Sequence, residues 1–184
     1  MLSTLLIAGC ARHTVVHTPV DADAASDARA TVVLLHGLGR GAGSMKRLSA
    51  SLAEEGYRVC PVDYPSTRFG PPALVREVTD AIASCTENSA TVHVVTHSLG
   101  GILTRAWARE HRAQLTGRVV MLGPPNHGSE LGDLAARSGV LRAVLGPTAA
   151  DLGTNPRSFP NRQAPADFPV GVIAGTKALH PIGS

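Results

Sequence analysis

The chain has 184 residues, 43% of them hydrophobic and 17% charged, which is enough for one domain with its own core and too few for two comfortable ones. This composition is that of an ordinary globular protein and does not indicate intrinsic disorder, and with aromatic residues at only 3% the core has to be built from Leu, Val, Ala and Ile. The formal charge of +3 comes from arginines spread along the chain, which argues against a nucleic-acid partner, and no apolar run approaches the ~18 residues of a membrane span.

At the N-terminus, Met1 to Cys10 reads M-L-S-T-L-L-I-A-G-C. Its last four residues, Ile7, Ala8, Gly9 and Cys10, resemble a bacterial lipoprotein lipobox. That resemblance implies a lipid on Cys10, removal of residues 1–9, membrane attachment through the lipid, and an exported protein, periplasmic or membrane-anchored. No Lys or Arg precedes the apolar stretch, which is short for a secretory signal, so either the true start lies upstream or the match is accidental and the chain cytoplasmic. Residues 11–30, rich in Ala, Asp and Thr, read as a flexible tether.

Thr31 to Leu35 is a β-branched and leucine run without period-two alternation, as expected of a strand buried on both faces of a parallel sheet. After the loop His36 to Gly43, Ser44 is placed to cap a helix whose apolar positions Met45, Leu48 and Leu52 recur at three and four, and Gly56 to stop it. Tyr57 to Val62 is the next strand. Pro71 and Pro72 then open a second helix, with Leu74, Val78 and Ile82 on one face. Thr91 to Val95 is the third strand, Gly100 to His111 the third helix, Arg118 to Leu122 the fourth strand, and Val170 to Ala174 one more short apolar run. Cys60 and Cys85 would pair in an oxidising compartment, but they are read here as two unlinked buried thiols.

Strand and helix alternate along most of the chain, which predicts a doubly wound, mostly parallel α/β sheet whose ligands bind beyond the carboxyl ends of the strands. Between about residues 124 and 168 the pattern changes to Pro, Gly, Asn and Ser with a few leucines. That segment reads as a lid-like insertion at the top edge of the sheet.

Two loops at that edge carry the chemistry. Gly37, Gly39 and Ala42 satisfy GxGxxA directly after a strand, and Asp63 closes the next strand where dinucleotide-binding proteins place an acidic ribose ligand. The second loop, T-H-S-L-G-G at 96–101, is left unexplained by that reading. It breaks an apolar strand into a serine and then a helix, the arrangement of a nucleophile elbow, with Thr96 standing where the usual GxSxG has its first glycine.

L-L-H-G-L-G after the first strand, T-H-S-L-G-G at the elbow and M-L-G-P-P-N-H-G-S after the fourth strand together resemble the α/β-hydrolase superfamily, in particular its bacterial lipase-like and esterase-like members. Asn126 replaces the histidine that such lipases often show in a P-H-x-G element. The resemblance implies carboxylic ester hydrolysis, with Ser98 as nucleophile, the backbone N–H groups of Leu38 and Leu99 as oxyanion hole, and an acyl ester or lipid as substrate. It implies no cofactor, and no pair of His, Cys or Asp has zinc-like spacing.

In this superfamily an acid and then a histidine follow the serine in chain order. Beyond Val170 to Ala174 only G-T-K-A-L-H-P-I-G-S remains, with His180 as the one formal candidate base and no acid before it. The last strand and helix of the fold are therefore expected to be missing. The alternative function is a catalytically incomplete fragment or a binding and scaffold protein that retains the elbow. Asp151 and Asp167 are read as solvated loop residues, His97 as packed away from the Ser98 hydroxyl, His36 as a brace of the oxyanion loop, His93 as a core histidine and His127 as structural in its turn.

Overall fold

A computed structural model describes residues 29–175, so Cys10, nearly all of the tether and His180 lie outside the described residues. Five strands form one sheet: β1 (Arg29–Leu35), β2 (Tyr57–Val62), β3 (Val92–His97), β4 (Val119–Leu122) and β5 (Val170–Ile173). Their order is β2-β1-β3-β4-β5 and every pairing is parallel. The unbroken apolar run of β1 suits its place between two neighbours, since Val32 to Leu35 are at most 3% exposed. Pro61, which has no N–H to give a ladder, sits in β2 at one edge of the sheet.

Helices cover both faces, as a doubly wound sheet requires. α1 (Lys46–Glu54) packs Leu48 and Leu52 with Val32, Leu34 and Val59 on one face. α2 (Pro71–Thr86) and α3 (Leu99–His111) pack Leu74, Val78, Ile102, Leu103 and Trp107 with Val33, Leu35, Val94 and Met121 on the other. Ser44 does not cap α1. A 3-10 turn at Ala42–Met45 precedes the helix, the Asp63 carboxylate accepts the Ala42 N–H at 3.0 Å, and the Ser44 hydroxyl donates to the Gly41 carbonyl at 2.7 Å. Gly56 does end the segment, at φ 82°.

Cys60 on β2 and Cys85 on α2 form a disulfide, with 6.1 Å between their Cα atoms. The reading of two free thiols is thereby corrected. Both residues belong to the layer between sheet and helix, where β2 and the last turn of α2 bring them to bonding distance.

Residues 124–168 leave from the end of β4 and hold three short helices, α4 (Glu130–Arg137), α5 (Gly139–Leu145) and α6 (Pro147–Ala150). Ser129 and Ser138 cap the first two by accepting the N–H groups of Gly132 and Leu141. The Thr148 hydroxyl donates to the Phe69 carbonyl at 2.6 Å, which ties the insertion to the loop after β2.

Candidate active site

Parallel pairing of β1 with β3 sets Leu35 opposite Thr96, so the loops that follow these strands start side by side. β3 runs two residues further than its apolar pattern, to His97, and α3 starts at Leu99. Ser98 is all that joins them. Its φ of 51° is left-handed, a region that only Asn88 shares among the described non-glycine residues. The Ser98 N–H donates to the Leu122 carbonyl at 2.9 Å, which fastens the turn to the end of β4.

Small residues make this turn fit. A side chain at Gly100 would place its Cβ 2.7 Å from the Leu35 carbonyl oxygen and 3.0 Å from that of His36, so α3 approaches the end of β1 only because that position is bare. Thr96, in the place of the usual first glycine, is fully buried and its hydroxyl lacks a hydrogen-bond partner among the described residues. Gly101 makes room for it: a Cβ there would lie 3.3 Å from the Thr96 hydroxyl and 3.1 Å from Pro124.

The loop after β1 lies directly against the elbow. A Cβ on Gly37 would stand 3.3 Å from the Ser98 Cβ and 2.7 Å from His97 Nδ1. The loop turns tightly, with the Arg40 N–H donating to the Gly37 carbonyl at 3.2 Å and the Gly39 N–H to the Ser66 hydroxyl at 3.0 Å. Leu38 therefore sits between two fixed residues, next in chain to the glycine that lies against Ser98. Neither its N–H nor that of Leu99, the first residue of α3, has a hydrogen-bond partner among the described residues.

His36 braces this loop, as expected. Its Nδ1 lies 2.9 Å from the Gly37 carbonyl, its Nε2 accepts the Tyr64 N–H at 3.3 Å, and the Tyr64 hydroxyl donates to the His36 carbonyl while the two rings stack at 4.0 Å. An accepting Nε2 puts the proton on Nδ1, so the ring is neutral. Burial holds its pKa below the ordinary histidine value, outweighing the Asp63 carboxylate, which lies 3.5 Å from Nε2 and would raise it. With the ring neutral, that contact is no ion pair. Asp63 is also the residue a dinucleotide site would need, and its Oδ1 is occupied by the Ala42 N–H.

His97 differs from its expected role. It is exposed, with its ring laid along Gly37, because alternation along β3 puts it on the face opposite buried Thr96. Partial covering first, and the Arg40 charge second, hold its pKa below the ordinary value. Other histidines among the described residues are engaged elsewhere. His93 is half-buried on β3 and accepts the Arg118 N–H at 2.9 Å, and the His127 carbonyl accepts from the Asn161 amide at 3.1 Å. Asp151 and Asp167 are exposed, the latter 4.0 Å from Arg112. Among the described residues the Ser98 hydroxyl has no hydrogen-bond partner, and no group of three His, Cys, Asp or Glu is placed to hold a metal ion.

A cavity of about 330 Å³ opens elsewhere, between the insertion and β5, lined by Arg105, Met121, Asn126, Val170 and Val172 among others. No residue of the elbow or of the loop after β1 lines it. Sequence reasoning missed Arg105, which anchors the insertion to α3 by donating to the Asn126 carbonyl and side-chain oxygens and to the Gln163 and Ala164 carbonyls. A lone arginine in an amphipathic helix gives no signal of carbonyl partners up to 59 residues away.

A family model described as "Alpha/beta hydrolase family" matches residues 32–181. Among solved structures, lipase BlEst2 of Bacillus licheniformis in its mature form aligns with a TM-score of 0.58 and 26% identity over 70% of this chain and 56% of that one. Phospholipase PlaB from Legionella pneumophila aligns with a TM-score of 0.56 and 20% identity over 68% of this chain and 33% of that one. The chain thus spans little more than half the length of the first and a third of the second. No curated protein sequence gives a significant match.

Proposed function

The chain belongs to the alpha/beta hydrolase family, and from that premise we propose that it hydrolyses carboxylic esters, of the acyl or lipid kind, through an acyl-enzyme on Ser98. One observation carries the reading. Ser98 is held at φ 51° between strand and helix, near the backbone N–H groups of Leu38 and Leu99, which have no hydrogen-bond partner among the described residues. The likeness to BlEst2, which is named a lipase, supports the ester class.

In the proposed reaction the Ser98 oxygen bonds to the ester carbonyl carbon and loses its proton to a base. The carbonyl oxygen takes up the negative charge between the N–H groups of Leu38 and Leu99, where each fixed donor is worth about 3–4 kcal/mol. The positive end of α3 points at the same place. The carbon–oxygen bond to the alcohol then breaks, the alcohol leaves with a proton, and water releases the acid from Ser98 by the reverse path. His180, outside the described residues, is the formal candidate for the base, and the insertion is read as the lid.

The second reading is the incomplete hydrolase, which keeps the elbow for binding. It is favoured by the Ser98 hydroxyl having no hydrogen-bonded base among the described residues. Hydrolysis of short and long 4-nitrophenyl esters, compared with the Ser98→Ala variant, separates the two. A loss of about 10³-fold or more on substitution is expected of the enzyme. Equal rates for both proteins, with no fluorophosphonate labelling of Ser98, would establish the non-catalytic reading.

Export, with attachment to a membrane through a lipidated Cys10, is part of the same proposal. The Cys60–Cys85 disulfide supports it, since such bonds persist in oxidising compartments.

A further inference from the structure

The turn at residues 37–40 is held by a hydroxyl from another loop. It closes with the Arg40 N–H on the Gly37 carbonyl at 3.2 Å, and Gly39, its third residue, has a φ of 65° while that of Leu38 is not positive. This is the pattern of a type II turn, whose central peptide, here between Leu38 and Gly39, is turned over relative to the commoner type I. The N–H of that peptide donates to the Ser66 hydroxyl at 3.0 Å. The other form would point it away from Ser66. Packing does not make the choice, because Gly39 is exposed and a Cβ there would meet nothing within 4 Å.

Ser66 is itself firmly placed. It is only 3% exposed, and its loop is fastened on both sides. Before it, Tyr64 stacks on His36 and donates to the His36 carbonyl, and the Ser66 N–H donates to the Tyr64 carbonyl at 2.8 Å. After it, the insertion takes hold: the Thr148 hydroxyl donates to the Phe69 carbonyl, and the Thr67 carbonyl oxygen leaves no room for a Cβ at Gly146. Among the described residues the Ser66 hydroxyl has no other hydrogen-bond partner.

We propose that Ser66 is a positioning residue for ester hydrolysis: its hydroxyl fixes the Leu38–Gly39 peptide, and through it the Leu38 N–H, for the oxyanion that forms at Ser98. The proposal rests on the reading of Ser98 as nucleophile and of Leu38 as donor. Gly37, lying against Ser98, fixes Leu38 from one side, and Ser66 fixes it from the other. A donor fixed in advance acts where charge develops in the transition state and hardly on the bound ester. Ser66 therefore raises kcat and leaves KM almost unchanged.

The test compares the full chain with its Ser66→Ala and Ser66→Cys variants on 4-nitrophenyl butanoate and on its thiono analogue, in which sulfur replaces the carbonyl oxygen. Sulfur is a weak acceptor, so the oxygen-to-sulfur rate ratio, each rate divided by that with hydroxide, reports the N–H donors. Both rates come from one sample, so the ratio does not depend on the fraction folded. Ser66→Ala is expected to lower kcat for the oxygen ester roughly 10- to 100-fold with KM within about twofold, and to lower the ratio at least about fivefold. Ser66→Cys, close to serine in size but a poor acceptor, is expected to change both in the same direction. A ratio unchanged in both variants, or a loss that falls on KM, overturns the positioning role while the nucleophile stands. A parent chain no faster than Ser98→Ala on either ester overturns the nucleophile and the positioning role with it.

Discussion

At Ser98 the backbone holds a left-handed conformation that costs a non-glycine residue about 1–3 kcal/mol, and the surroundings must enforce it. Gly100 is part of that enforcement, because the atoms facing it are the carbonyl oxygens of Leu35 and His36, which have no freedom to move aside. Gly100→Ala is expected to cost about 2–4 kcal/mol of stability, read from the urea midpoint, and to slow Ser98 labelling by more than the unfolded fraction explains. A variant as stable and as reactive as the parent would show that the close approach of α3 is not required. The elbow was legible in the sequence because its chemistry is local: a strand, a serine and glycines within six residues. The tolerance of Thr96 was not legible, since the space it occupies is released by Gly101 and bounded by Pro124 and Met121 from another strand and loop. His97 is different: its outward placement follows the strand's alternation, which buries Val92, Val94 and Thr96 and leaves His93, Val95 and His97 on the less covered face.

The strands were read correctly as elements because each buried parallel strand is an apolar run bounded by polar or small residues, and the insertion was marked by its composition. The ends were less legible. β3 extends to His97 because pairing with β4 continues past the apolar residues, and the turn before α1 draws its capping acceptor from Asp63, 21 residues on. The disulfide joining β2 to α2 belongs to the same class, since a partner 25 residues away is fixed by packing and not by pattern. Closing a loop of that size stabilises the fold by about 3 kcal/mol in the chain-entropy account. Reduction, or Cys60→Ser with Cys85→Ser, is expected to lower the melting temperature by roughly 6–12 °C. Thiol trapping in intact cells is expected to find the pair oxidised; finding both thiols free would count against export.

Over the whole molecule the apolar surface is unevenly covered. Both faces of β5 are open, with Val170 39%, Val172 53% and Ile173 62% exposed, and its outer edge has no strand beside it among the described residues. Such an edge pairs with other chains unless it is charged or covered. The chain is therefore expected to self-associate at micromolar concentration, as measured by light scattering, and Val172→Lys to shift it towards the monomer. A monodisperse wild-type monomer would contradict this.

Pro61 limits how far such association proceeds. At the opposite margin of the sheet formed by the described residues it leaves β2 one backbone donor short, so that margin is the poorer docking edge of the two. Two copies that meet through β5 use up the better edge of both at once. Two such copies would share a ten-stranded sheet with a Pro61-bearing strand at each margin, which disfavours further growth.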